Sequence, residues 1–248
     1  MSTMYILWLR QVKRYLRSRS RIIGALGQPI LFLLALGYGL GPVFSRAGQG
    51  NYIQFLAPGI IAMSILFTSI FSGMEIIWDR QFGFLKETLV APVSRVSIMM
   101  GRTLGGATVA TMQGLIIFFI SMIAGFRLPH WSGLPLAIII MILISLLFTA
   151  AGTALASRLS DMQGFQLIIN FLVMPLFFLS GALFPLDNLP AGIAFVTRID
   201  PLTYGVDALR QVLIGSSHFG LGLDFAVLSG VTVVFLLLGS YLFSKIEI

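Results

Sequence analysis

Few side chains in this sequence are placed to do chemistry. The two histidines, His130 and His218, lie far apart beside short polar stretches, and cysteine is absent. A metal site needs three or four converging ligands, and a thiolate nucleophile or a disulfide needs cysteine. Ser64, Ser69, Ser121, Ser145 and Ser180 sit in apolar runs with no histidine at their depth to activate them. The Ser180-Gly181 and Ser229-Gly230 pairs do not complete a hydrolase nucleophile elbow. A phosphate-binding loop requires Gly-x4-Gly-Lys-Ser/Thr, and none of the three lysines, Lys13, Lys86 and Lys245, has that context. Glu75 is the one acid expected inside an apolar run, a turn from its end beside Trp78 and Asp79. Ion-coupled transporters carry several such groups. A lone Glu75 is expected to pair with a nearby arginine. The residues therefore predict no catalytic, cofactor or metal site in this chain.

The elements that would carry these residues follow from composition. Of 248 residues, 57% are hydrophobic and 10% charged, with mean hydropathy +0.97. Soluble domains carry about 25% charged residues, so the solvent for most of this surface is lipid. The net charge of +7 comes from basic residues flanking apolar runs, which points to the membrane surface rather than nucleic acid. Six apolar stretches have the length of about 20 residues that a crossing helix needs: 22–41, 56–78, 103–125, 134–156, 165–184 and 225–243. With the N-terminus inside, twelve Lys and Arg fall on the inner side and four on the outer. The positive-inside rule therefore places both termini in the cytoplasm. The basic start is too long, and the first apolar run too extended, for a secretory signal.

Three segments stand outside the spans. In 1–21, Tyr5, Trp8, Leu9, Val12, Tyr15 and Leu16 recur at spacings of three and four, with Arg10, Lys13, Arg14 and Arg17 opposite. That pattern predicts an amphipathic helix in the interface. In the loop 79–95, Phe82, Leu85 and Leu89 keep helical spacing among charges until Pro92, which predicts a short helix able to dock on a soluble partner. The segment 184–222 carries Pro185, Pro190 and Pro201. Its Asp200-Pro201 reads as an N-cap followed by proline at the first helical position. Leu202, Val206, Leu209 and Leu213 then form a stripe, Asp207 and Arg210 are placed to pair, and Gly215 ends the helix. A re-entrant helical hairpin is expected, packed on protein because lipid does not tolerate irregular backbone. Gly101 and Gly105 form a small-xxx-small pair that supports self-association.

The sequence resembles the ABC-2 type transporter permeases, and within them the daunorubicin-resistance type of drug exporter. The motifs are FGFLKE at 82–87, LVAPVSR at 89–95, FLSGALFPLDNLP at 178–190, DPLTYGVDALR at 200–210 and WLRQVKRYLR at 8–17. Where many members have an acid, this chain has Lys86, and the acid follows at Glu87. The likeness spans nearly the whole chain, as one permease domain over 1–248.

The resemblance implies an all-α membrane protein of six transmembrane helices in a prokaryotic plasma (inner) membrane. Residues 1–21 would be a connecting helix, 79–95 the coupling loop and 184–222 the external re-entrant hairpin. Two permease chains, a homodimer, would pair above two separate P-loop ATPase subunits that hold ATP and Mg. Coupling would fall to Arg80, Phe82, Gly83, Leu85, Lys86, Glu87, Leu89, Pro92 and Arg95. The external gate would comprise Pro185, Asp187, Pro190, Asp200, Pro201, Tyr204, Asp207 and Arg210. In the family's arrangement the first, second and fifth spans face the pathway, which makes Gln28, Met63, Asn170 and Met174 its candidates. The chain itself would not be an enzyme, and its cargo would be an amphiphilic drug- or lipid-like molecule. The rival readings are export of a polysaccharide or lipid-linked glycan, a secondary transporter or channel, and an intramembrane enzyme. The last two require buried ionisable relays or a reactive cluster.

Overall fold

The computed structural model describes residues 3–46, 50–84, 93–159, 161–187 and 189–246, and every regular element among them is helical. These are α1 (Thr3–Arg17), α2 (Arg19–Arg46), α3 (Tyr52–Gln81), α4 (Arg95–Ile123), α5 (Leu134–Arg158), α6 (Met162–Leu179), α7 (Ala191–Ile199), α8 (Pro201–Ile214) and α9 (Leu221–Ser244). Six of them, α2 to α6 and α9, are long and apolar enough to cross a membrane. Short polar side chains set several starts. Asn51 caps α3 through Ile53 N (2.9 Å), Ser94 caps α4 through Ser97 N (3.2 Å), and Asp161 caps α6 through Gly164 N (2.6 Å).

Most spans run a few residues beyond the expected bounds, and two boundaries have a local cause. The break between the amphipathic segment and the first span falls at Ser18, so Arg19 and Arg21 open α2 rather than close α1. The fifth span ends at Leu179 rather than at 184, because Gly181 adopts a left-handed φ of +74° and the chain turns there. Within α6, residues Ile169–Val173 form a π turn, with Met174 N–H bonded to the Ile169 carbonyl. Pro175 follows at once and has no N–H to continue an α-helical ladder.

The centre of the bundle is the crossing of α3 and α5, and small residues make it possible. A Cβ on Gly73 would stand 2.4 Å from the Gly152 carbonyl oxygen, and one on Gly152 would stand 2.8 Å from that of Ile70. Backbones at this separation exchange dispersion contacts that larger side chains would prevent. Beside them Gly106 of α4 admits Ser72 and Thr149. Around this core α2, α6 and α9 turn large apolar groups outward, including Ile23, Leu31, Tyr38, Leu167, Phe171 and Leu237. A water-facing surface of this kind would aggregate, whereas lipid accepts it. Gly73→Ala or Gly152→Ala should lower stability by roughly 1–3 kcal/mol through overpacking. Gly24→Ala, where a Cβ meets nothing within 4 Å, should not. Thermal unfolding in detergent checks this, and equal behaviour of all three variants would contradict the crossing.

Candidate functional site

The end of the bundle that carries both termini is tied by charge. Glu75, near the end of α3, accepts from Arg21 Nη1 at 2.5 Å and from Gln11 Nε2 at 2.6 Å, and Arg14 Nη1 lies 3.5 Å away. One turn on, Asp79 accepts from Arg102 Nη2 of α4 at 2.5 Å, with Arg10 at 3.9 Å. Both Asp79 and Arg102 are buried. Trp78 Nε1 donates to the Met162 sulfur of α6 at 2.7 Å. Arg80 donates to the Leu159 and Ser157 carbonyls at the end of α5, at 3.0 and 3.2 Å. Arg95 donates to the carbonyls of Ser244, which ends α9, and of Ile246 beyond it, at 2.6 and 2.9 Å. The residues flanking the 79–95 loop thus touch α1 and every span.

The helix α1 lies along α4. Gly101 and Gly105 receive it: a Cβ on the first would meet the Met4 carbonyl at 2.8 Å, and one on the second would meet Gln11 Cβ at 2.6 Å. This glycine pair is filled by the same chain rather than free for self-association. Trp8 Nε1 donates to Thr108 Oγ1 at 3.0 Å, and the Tyr15 hydroxyl donates to Gln113. Burial pushes the Tyr15 phenol above its ordinary pKa. The buried face differs from the expected stripe. Only Tyr15 is buried and Gln11 packs half-buried beside it, while Tyr5 and Leu16 stay exposed, because the glycine groove and the two carboxylates of α3 draw polar and basic side chains inward.

Of the residues assigned to coupling, Arg80 and Arg95 root the loop as described. Phe82 is 71% exposed, and Gly83 has φ +82°. Leu85, Lys86, Glu87, Leu89 and Pro92 lie outside the described residues.

The other end of the bundle is closed by α7 and α8. Val212 of α8 lies against Gly133, just before α5, while Gly205 lies against Ile144, eleven residues further along. At 1.5 Å per residue, the hairpin tip reaches about 16 Å or more into the bundle. Asp200 caps α8 through Leu202 N (2.9 Å), and Pro201 takes the first helical position. Gly215, at φ +77°, ends the helix. Burial pushes the Asp200 carboxyl up to about 7. Tyr204 donates to the Arg198 carbonyl at 2.7 Å. Pro190 leads into α7, Pro185 is half-buried, and the exposed Asp187 lies 3.4 Å from His218 Nδ1. The expected Asp207–Arg210 pair does not form, because α8 is buried on all sides and each group is engaged elsewhere. Asp207 accepts from Ser217 Oγ, His218 N and Phe219 N at 3.1, 2.8 and 2.8 Å. Arg210 donates to the Gly181 carbonyl at 2.9 Å and covers the Phe55 ring of α3 at 3.9 Å. Burial pulls its pKa down to about 10, so it stays charged at neutral pH.

Between α1, α2, α3 and α4 lies a cavity of about 360 Å³. Gln28 and Met63, two of the pathway candidates, line it. Asn170 and Met174 do not: Asn170 is exposed on the π turn and Met174 is half-buried on α6. Two features escaped the sequence reading. The Asp79–Arg102 pair joins positions 23 apart, and its signal was opposite charge at matching depth on neighbouring spans. Asp224 is a further acid within a span, in addition to Glu75 and Asp79 of α3, because α9 starts at Leu221 rather than at 225. It is fully buried, and neither carboxylate oxygen has a partner among the described residues.

Six spans, a hairpin folded into one end and a charged knot at the other define a multi-pass helical membrane protein. The ABC-2 type transporter family matches residues 3–214, and the chain belongs to that family. It is similar to transport permease ycf38 of Cyanophora paradoxa, 31% identical over 238 residues, covering 91% of this chain and 82% of the relative. It is similar also to Nodulation protein J of Rhizobium meliloti, 29% identical over 215 residues with 86% and 81% covered. The ycf38 permease of Porphyra purpurea is 30% identical over 207 residues, with 79% and 68% covered.

Two outcomes follow from this geometry. Removing Arg102 by substitution to Ala leaves Asp79 buried with only Arg10 near it, at 3.9 Å. The cost should be about 3–5 kcal/mol, and the Asp79→Ala/Arg102→Ala double variant should lose less than the two single losses added. Additive losses in a denaturation cycle would show that the pair is not coupled. At the hairpin, the folded Asp200 carboxyl titrates near 7 against an ordinary 3.8. Its protonation favours the fold fully below about pH 4, and that contribution is lost as pH rises through 7. Asp200→Asn should abolish this fall in thermal stability. A variant that tracks the native protein from pH 4 to 8 would exclude Asp200 as its source.

Proposed function

We propose that this chain is the permease subunit of an ATP-driven exporter that moves an amphiphilic, drug- or lipid-like molecule outward. Permeases of its family work with a separate ATPase subunit. In this reading two permease chains pair through the exposed apolar faces of α2 and α6, and two ATPase subunits bind ATP and Mg below the 79–95 loop. The bias of basic residues sets the termini, and with them the loop, on the cytoplasmic side of the cell membrane.

The observation that carries the reading is the way the loop is rooted. Glu75, Trp78, Asp79, Arg80, Arg95 and Arg102 bind the ends of every other span. A push on the loop from below therefore acts on the bundle as a whole. The helix α3 carries the motion onward. Its 30 residues span about 45 Å, and at its far end Phe55 sits under Arg210 while Tyr52 donates to the Leu183 carbonyl. Tilting α3 would shift the α7–α8 hairpin, here read as a re-entrant gate at the outer leaflet. The cavity favours an amphiphile over a glycan, because Met63, Phe67, Phe71, Met74 and Trp78 give it an apolar wall that repacks around varied shapes.

The test is purification of the tagged chain in mild detergent with its ATPase, followed by reconstituted efflux. A P-loop ATPase at one-to-one stoichiometry is expected. Gly83→Ala, strained at φ +82°, and Glu87→Ala should cut efflux at least about tenfold while ATP hydrolysis continues. A chain that binds no ATPase, or variants that export at the native rate, would overturn the proposal.

A further inference from the structure

Two hollows meet where Arg14 and Arg21 pair with Glu75. The first is the cavity between α1 and α4, about 360 Å³, within the size range of small-molecule sites. Its wall is mainly Met63, Phe67, Phe71, Met74 and Trp78. It is roomy beside Gly24, where a Cβ would meet nothing within 4 Å. The Ser64 hydroxyl, on a residue 2% exposed, belongs to this wall and has no hydrogen-bond partner among the described residues. The second hollow lies at the α1–α2 junction. Arg10, Lys13, Arg14, Arg17 and Arg19 line it with two serines and, among the described residues, no acid. Arg10 and Arg14 reach carboxylates at 3.9 and 3.5 Å. Lys13, Arg17 and Arg19 have no partner among the described residues.

We propose that the two hollows form one binding site for an acidic amphiphile, with its headgroup on Lys13, Arg17 and Arg19 and its apolar portion in the cavity. The ion pair explains why they act together: Glu75 lines the first hollow, Arg14 lines the second, and their contact is the shared wall. Charge selects the headgroup. Among the described residues Glu75 is the only acid on either wall, and Arg21, Gln11 and Arg14 already surround it, so a cationic headgroup finds no free carboxylate there. Unpaired basic groups hold phosphate or carboxylate by charge-assisted hydrogen bonds. The apolar wall requires a chain or ring system as well, since a bare anion would leave the cavity unfilled and its lining without contact. The ligand is thus either single-chained cargo or a resident two-chain membrane lipid, and both present the same chemistry. As a statement of cargo class this rests on the export reading. As a binding site it stands on the permease alone.

The experiment uses the full chain in detergent, without ATPase, so its failure is separate from failure of the export reading. Of the three tryptophans, Trp78 lines the cavity. A Trp8→Phe/Trp131→Phe background isolates its fluorescence. Brominated-chain probes then quench it: a dodecyl phosphate, a dodecyl trimethylammonium and a two-chain phosphatidic acid. Saturable quenching by an acidic probe at least about tenfold tighter than by the cationic one is expected. Preference for the single-chain phosphate identifies a cargo-like ligand, and preference for phosphatidic acid identifies a resident lipid; each supports the site. Lys13→Gln/Arg17→Gln/Arg19→Gln should erase the headgroup preference but keep chain binding. Gly24→Leu, at a helix position with open space, should weaken both headgroups alike. Native mass spectrometry of the unsubstituted chain with the same unbrominated amphiphiles repeats the comparison where the tryptophan background folds poorly. Equal affinity for acidic and cationic probes, displacement by inorganic phosphate alone, or indifference to Gly24→Leu would overturn the proposal.

Discussion

Two carboxylates near the end of one apolar helix constrain the rest of this molecule. Glu75 and Asp79 sit four residues apart on the same face of α3, where water is largely excluded. An unpaired carboxylate there would be costly, so each must be met by cations. The chain supplies those from α1, α2 and α4. The position of α1 follows from this need as much as from its apolar stripe. Arg10, Gln11 and Arg14 turn toward α3, and the Gly101–Gly105 groove lets the helix lie close enough for them to arrive. Neighbouring arginines extend the same logic through backbone carbonyls. Arg80 and Arg95 satisfy the open ends of α5 and α9, which as helix C-termini leave carbonyls without intrahelical donors.

The opposite end solves its polar problem differently. There the ionisable groups of α8 are held by backbone rather than by each other. Asp200 and Asp207 gather N–H groups, and Arg210 gathers carbonyls and an aromatic face. Contacts of this kind depend on the exact course of loops such as 215–219 and 181–183. A loop can rearrange without separating a buried ion pair, whereas the charged knot cannot. The helix α3 joins an end tied by ion pairs to an end tied by loop backbone.

Much of this was legible in the sequence because it is local. Helix length, hydropathy and basic flanks define six spans without tertiary information. The Asp200-Pro201 start and Gly215 end of α8 are backbone requirements readable at single residues. The stripe of Leu202, Val206, Leu209 and Leu213 is buried as expected. What failed was pairing across elements. Asp207 and Arg210 are neighbours by helical spacing, yet the chain returning through 217–219 competes for the carboxylate and wins, with three donors against one. The Asp79–Arg102 pair was missed for the converse reason: its partners are remote in sequence and meet only when α3 and α4 pack antiparallel. Among the pathway candidates, Gln28 and Met63 converge on one cavity because α2 and α3 are adjacent. Asn170 lies away from that cavity, exposed on the π turn before Pro175.

The glycines show why a chain with so little chemistry is still exacting in sequence. Gly73 and Gly152 bring α3 and α5 into backbone contact close above the charged knot, and Gly59 brings α3 against Ala182 beside the turn that Arg210 holds. Lipid gives apolar helices no solvent-driven reason to associate, so close packing must supply the cohesion that burial supplies in water. At Gly59, Gly73 and Gly152 the contact of α3 is backbone to backbone and leaves little side-chain slack, whereas Gly37, Gly106 and Gly114 meet α3 side chains. In the proposed exporter, motion applied at Asp79 would pass through these contacts to α5 and to the hairpin. For the proposed exporter, this lack of slack is the property through which work done on an ATPase partner would reach the hairpin at the far side.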